Sequence, residues 1–149
     1  PQKKPIFFVM SYLKREAMMW CYEAHNTDER QLLERLNANN PIIVTDLHHR
    51  IIGVNREWVH MCRYSAEDAF GNTPALLQGA LTERDVARDF VSQICAGHTT
   101  FASLVNYKKD GTPFVNHLYG WCVGDLLVAE TYAEHALDGD SEVIRRILS

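Results

Sequence analysis

The sequence predicts an α+β domain, with helices gathered on one side of an antiparallel sheet. Three observations predict it. Two short β-branched runs lie on either side of a polar turn at 41–54; several short helical patterns follow at 55–97; three longer strand-like runs occupy 101–132. Two strands, a helix cluster and then three hairpin-linked strands is an α+β order.

Size and charge narrow the function. At 149 residues, 46% of them hydrophobic, the chain is long enough to bury one core and short enough for one domain with extensions. A net charge of −4 with scattered Lys and Arg gives no basic field, which argues against direct nucleic-acid binding by this domain. Cys21, Cys62, Cys95 and Cys122 form no C-x-x-C pair, so they read as free thiols in a reducing compartment, not as zinc or redox ligands. No apolar run reaches membrane-span length, and Pro1-Gln2-Lys3-Lys4-Pro5 lacks a signal-peptide layout, so the expected location is cytoplasmic or nuclear. The chain starts without methionine and ends within a helical pattern, which predicts a segment of a longer protein.

The expected layout is a helical N-terminal extension over 1–40, a core over 41–138 and a C-terminal helical extension over 139–149. From Ile6 to Glu23 apolar residues recur at three- and four-residue steps, predicting an amphipathic helix, and Thr27 or Asp28 caps a second that Asn39-Asn40-Pro41 stops. Pro41–Asp46 and Ile51–Val54 read as a hairpin. Helical spacing follows over Asn55–Tyr64, Ser65-Ala66-Glu67-Asp68 opens a short helix, and Thr82-Glu83-Arg84-Asp85 opens a longer one that Gly97 closes. Phe101–Tyr107 and Phe114–Val123 flank an Asp110-Gly111 turn signal, and Leu126–Tyr132 follows the Gly124-Asp125 turn. Ser141–Ser149 carries a stripe of Val143, Ile144, Ile147 and Leu148, too short to be stable alone.

Gly71-Asn72-Thr73-Pro74-Ala75-Leu76-Leu77-Gln78-Gly79 resembles, without insertion, the signature GRNCRFLQG of LOV (light-oxygen-voltage) domains, a flavin-binding subclass of PAS domains. Asn106-Tyr107-Lys108-Lys109-Asp110-Gly111-Thr112-Pro113-Phe114-Val115-Asn116 resembles the segment in which two LOV asparagines flank a hairpin. Ile43-Val44-Thr45-Asp46 and Tyr64-Ser65 resemble two further LOV blocks, in the same order. The resemblance implies a PAS fold, a five-stranded antiparallel sheet with helices enclosing a pocket. It also implies cofactor contacts at Gln78, Asn106, Asn116, Thr45 and Thr73. An odd-numbered loop centred on Gly111 would set Asn106 opposite Asn116 on one face, whereas a two-residue loop at Asp110-Gly111 would separate them. Without the resemblance, the asparagines read as strand-end or turn residues.

The departures from the family matter as much. The photoreactive cysteine position is Pro74, which offers no nucleophile, so the family's flavin-cysteinyl adduct cannot form there. Cys62, one helix earlier, reads as a buried inert thiol, with a displaced nucleophile as its alternative role. The two phosphate-gripping arginines correspond to Ala75 and about Val91; Arg84 and Arg88 on the same helix read as solvent-facing, with substitution for the lost arginines as their alternative role. The signalling glutamine corresponds to Glu130 or Thr131, and Trp121 either fills pocket volume or packs outside the sheet. His48-His49 reads as a solvated turn, and no metal ligand set or catalytic motif is present.

The expectation is therefore a non-enzymatic LOV-like sensory and interaction domain of a signalling or transcription-regulating protein. It binds no cofactor, or alternatively holds FMN or riboflavin weakly as a cysteine-less sensor. Its partners are proteins, either a second copy or another PAS/LOV or effector domain, with no membrane. Phe7, Phe8, Leu13, Met18, Val143, Ile144 and Ile147 are the candidate interface, with intramolecular core as their alternative role.

Overall fold

The computed structural model describes residues 19–20, 40–135 and 141–149. The β-branched runs become strands β2, Ile42–Thr45, and β3, Ile51–Val54, both fully buried, joined by a turn in which Asp46 Oδ1 accepts from the amides of His48 and Arg50. Against β3 lies a two-residue strand β1, Met19–Trp20, with Met19 opposite Val54. Those two residues had been expected within a helix running to Glu23. Ladder pairing to β3 overrides their helical spacing and adds a sixth strand to the expected five. The other parts of the N-terminal helices, including Phe7, Phe8, Leu13 and Met18, lie outside the described residues.

Helix α1, Arg56–Cys62, begins at Asn55, whose buried side chain does three jobs. Its Oδ1 accepts from the amides of Trp58 at 3.0 Å and Ile42 at 2.9 Å, and its Nδ2 donates to the Asn40 carbonyl at 2.8 Å. One amide thus caps the helix and anchors the start of β2. Helix α2, Ala66–Ala69, has the complete capping box between Ser65 and Asp68. A 3-10 turn over Pro74–Leu77 places Pro74 first, where a missing N–H has no intrahelical partner to lose.

Helix α3, Arg84–Cys95, starts after Glu83 with no side-chain cap. Thr82 was read as part of that cap, but its hydroxyl is engaged elsewhere. It donates to the Val105 carbonyl at 2.6 Å and accepts from the Gly79 amide, tying the loop to the sheet edge. Gly97, at φ +87°, closes the helix as expected.

Strands β4, Thr100–Tyr107, β5, Pro113–Val123, and β6, Leu126–Glu134, complete an antiparallel sheet of order β1-β3-β2-β6-β5-β4. Helix α3 crosses its inner face close to Gly120: a Cβ there would lie 2.5 Å from both Phe90 Cζ and Ile94 Cδ1. Helix α4, Glu142–Leu148, packs on the outer face instead. Val143 and Ile144 are buried against Val105 and Val115, with Ile147 at the margin, so in this structure the three are intramolecular core. Arg146 donates to Glu83 and to the Ser103 carbonyl, fastening α4 to β4.

Asn55→Ala leaves the buried Ile42 amide and the first turn of α1 without their acceptor. The expected loss is about 2–4 kcal/mol of unfolding free energy in urea denaturation. A loss under about 0.5 kcal/mol would mean the anchor is dispensable.

Candidate functional site

The hairpin between β4 and β5 decides which side chains face inward. Tyr107 pairs with Pro113, and the Lys108 amide donates to the Thr112 carbonyl, leaving a three-residue loop of Lys109, Asp110 and Gly111. Gly111 takes φ +88°, the left-handed conformation that such a loop requires at its last position. The loop is odd, as the site needs, but it is centred on Asp110, not Gly111. Asn106 therefore lies opposite Phe114, and Asn116 opposite Leu104. A displacement of two in the pairing sum preserves the face, so both asparagines still project inward as diagonal neighbours.

They meet directly. Asn116 Nδ2 donates to Asn106 Oδ1 at 2.9 Å, while Asn106 Nδ2 reaches the Val105 carbonyl at 3.3 Å. Val105 thus orients the first amide and the first orients the second, leaving the fully buried Asn116 Oδ1 with no hydrogen-bond partner.

Over this pair lies a cavity of about 510 Å³ between the inner sheet face and the helices. Its volume lies within the range of roughly 300–1,000 Å³ typical of small-molecule sites. Gln78, Asn106, Asn116, Thr45 and Thr73 all line it, and so does Pro74. The residues singled out in the sequence are therefore brought together around one space. Gln78 comes partly engaged, its Oε1 accepting from Arg84 Nη1 at 2.9 Å. Arg84 was read as solvent-facing and is exposed, but it also steadies that amide.

Several lining residues were not singled out as site residues. Trp58, from α1, is completely buried and its indole nitrogen has no partner. Arg88 borders the cavity while remaining exposed, as does His49 at φ +63° in the turn between β2 and β3. Thr131 is the inward member of its pair, buried and donating to Met61 Sδ at 3.4 Å. Glu130 pairs with Tyr119 on the outer face and accepts from Asn40. Trp121 stands outside, its ring 5.3 Å from that of Tyr119, and takes none of the cavity. Among the described residues the lining has no carboxylate, which disfavours a cationic ligand. No group of three or more metal-ligating side chains occurs among the described residues.

Cys62 is not in the lining; it is fully buried among apolar neighbours. Desolvation raises its thiol to about 11, so it is neutral and unreactive near pH 7. Cys95, exposed on the last turn of α3, is the cysteine that borders the cavity.

On the outer face His117 bridges Ser103 Oγ, at 2.7 Å, and Glu134 Oε2, at 2.8 Å, linking β4, β5 and β6. Beside it Phe101 is 76% and Tyr132 65% exposed, an aromatic patch with Tyr119 at 37%. No helix among the described residues is long and apolar enough to cross a membrane.

Comparison with known proteins agrees with this architecture. The model of the PAS fold matches residues 27–118, more than half of the chain. A blue-light-activated histidine kinase of Erythrobacter litoralis is 32% identical over 81 residues, covering 52% of this chain and 22% of the kinase. The bacterioopsin transcriptional activator of Halobacterium salinarum is 32% identical over 95 residues, covering 60% of this chain and 14% of the activator. The chain thus spans less than a quarter of the length of these two curated relatives. Among solved structures, the LOV domain of an Erythrobacter litoralis blue-light activated histidine kinase superposes with a TM-score of 0.62 at 22% identity, covering 66% of this chain and 99% of that one. The chain belongs to the PAS family.

Proposed function

We propose that this domain is a LOV-like sensor incapable of the flavin-cysteinyl adduct, whose cavity takes a neutral, planar heteroaromatic ligand of the flavin kind. The observation that carries the reading is the Asn106–Asn116 pair. Its fixed hydrogen bond leaves an unpartnered acceptor on Asn116, and a buried acceptor without a partner costs about 1–3 kcal/mol that a ligand N–H recovers. The ring edge of a flavin offers such an N–H beside carbonyl oxygens, and Gln78 and Thr45 supply further polar contacts along the lining. Where the family resemblance assigns its two phosphate-gripping arginines, the lining has Ala75 and Val91, and among the described residues Arg88 is its one guanidinium. A phosphate-free ligand such as riboflavin therefore fits better than FMN. With Pro74 at the cysteine position and Cys62 held neutral, the family's adduct has no nucleophile at its place, and signalling proceeds through the redox and protonation state of the ligand, with an exogenous thiol or similar reductant supplying the electrons.

Titrating the purified domain with riboflavin and FMN by fluorescence tests this. Wild type is expected to bind riboflavin at least as well as FMN, and Asn116→Leu, which keeps the volume and removes the amide, to weaken riboflavin binding by about tenfold or more. Equal affinity in the variant would remove the asparagine pair from the site.

The exposed patch of Phe101, Tyr119 and Tyr132 supports a second role, as the surface through which the domain contacts a protein, either another copy or a neighbouring effector domain of a signalling or transcription-regulating protein. These side chains alternate along the strands with the inward residues, so the face that reports lies one residue from the face that binds. If the partner is a second copy, the domain sediments as a dimer and the pair Phe101→Ser with Tyr132→Ser shifts it to monomer. A dimer untouched by the pair would place the interface elsewhere.

A further inference from the structure

We infer that Trp58 donates a hydrogen bond from its indole nitrogen to the ligand of the cavity, which therefore carries an acceptor facing the helical wall in addition to the groups that meet the asparagine pair. The inference deepens the reading of the cavity and rests on it. Among the described residues only two side-chain polar atoms are buried without a hydrogen-bond partner, Trp58 Nε1 and Asn116 Oδ1. Both belong to residues lining the same cavity. Buried indole N–H groups nearly always find an acceptor, and an orphan of this kind calls for a physical reason.

The described residues offer Trp58 none. The indole is fully buried in an apolar cluster with Met61, Cys62, Leu77 and Phe114, none of whose side chains carries an oxygen or nitrogen acceptor. The backbone beneath the ring is fixed, since the Trp58 amide is held by the Asn55 cap. A residue with an unmet donor on helix α1 and one with an unmet acceptor on strand β5 thus line one space from different walls. The complement is a neutral ring system with an N–H at one position and a carbonyl oxygen or ring nitrogen at another, as in isoalloxazines and pteridines. A hydrocarbon chain would leave both atoms unsatisfied.

The test uses 15N-labelled domain, with its three indole resonances sorted by Trp20→Phe and Trp121→Phe, and riboflavin as the probe. The expected result is that riboflavin moves the Trp58 indole resonance and slows its exchange with water, and that Trp58→Phe binds riboflavin about tenfold more weakly. If riboflavin binds but the indole resonance and its exchange are unchanged, this inference is overturned and the cavity reading survives. If wild type binds no riboflavin at all, both fall. Should Trp58→Phe fail to fold, the wild-type spectra alone decide.

Discussion

The cavity depends on the length of one turn. Because side chains alternate along a strand, the parity of the loop between β4 and β5 determines whether Asn106 and Asn116 share a face. Three residues close it, and the last, Gly111, sits at φ +88° where a side chain would be strained. Asp110 adds a local brace, its carboxylate accepting from the Thr112 amide, a bond that holds its pKa below the ordinary carboxylate range. The turn is also pinned from outside. The Lys109 amide donates to the Cys62 carbonyl, and Lys109 Nζ pairs with Asp68 at 2.7 Å, joining the hairpin to the ends of α1 and α2. A one-residue change in loop length would turn one asparagine to the outer face and dismantle the pair.

From that register the other walls follow. Gly120, four residues beyond Asn116 on the same face, has no side chain, and α3 settles onto it through Phe90 and Ile94. At the opposite end Tyr107 Oη accepts from the Leu81 amide while its ring lies against Gly79, holding the segment that carries Pro74 and Gln78 over the sheet. Two glycines thus set how near the helical wall comes, one at each end of α3. The space between stays open because Trp121, the bulkiest neighbour of Gly120, faces the other way.

Much of this was legible in the residues themselves. The strand runs, the Asn55 and Ser65 helix starts and the Gly97 stop follow from periodicity and capping chemistry, whereas the set of Thr45, Thr73, Gln78, Asn106 and Asn116 rests on the resemblance to LOV domains. What escaped was tertiary in origin. The Asp-Gly signal marks a turn without fixing its length, so the pairing was off by two while the face was right. Thr82 looks like a helix cap, yet its hydroxyl is claimed by a carbonyl 23 residues away. Met19–Trp20 follows a helical spacing that sheet pairing overrules. Trp58 reads as one more apolar position on a helix, and only the fold shows that it lines the cavity and has no acceptor among the described residues. The choice between Glu130 and Thr131 needed the β5–β6 register, which no local pattern specifies.

The most direct test of the account is the visible absorption spectrum of the domain after incubation with riboflavin and removal of free ligand by gel filtration, recorded before and after blue light. The account predicts near-equimolar flavin travelling with the protein, and, with an added thiol as electron donor, photoreduction under light without any covalently attached flavin on denaturation. A colourless protein would contradict the ligand-bearing cavity, and flavin remaining covalently bound to the chain would contradict the absence of adduct chemistry.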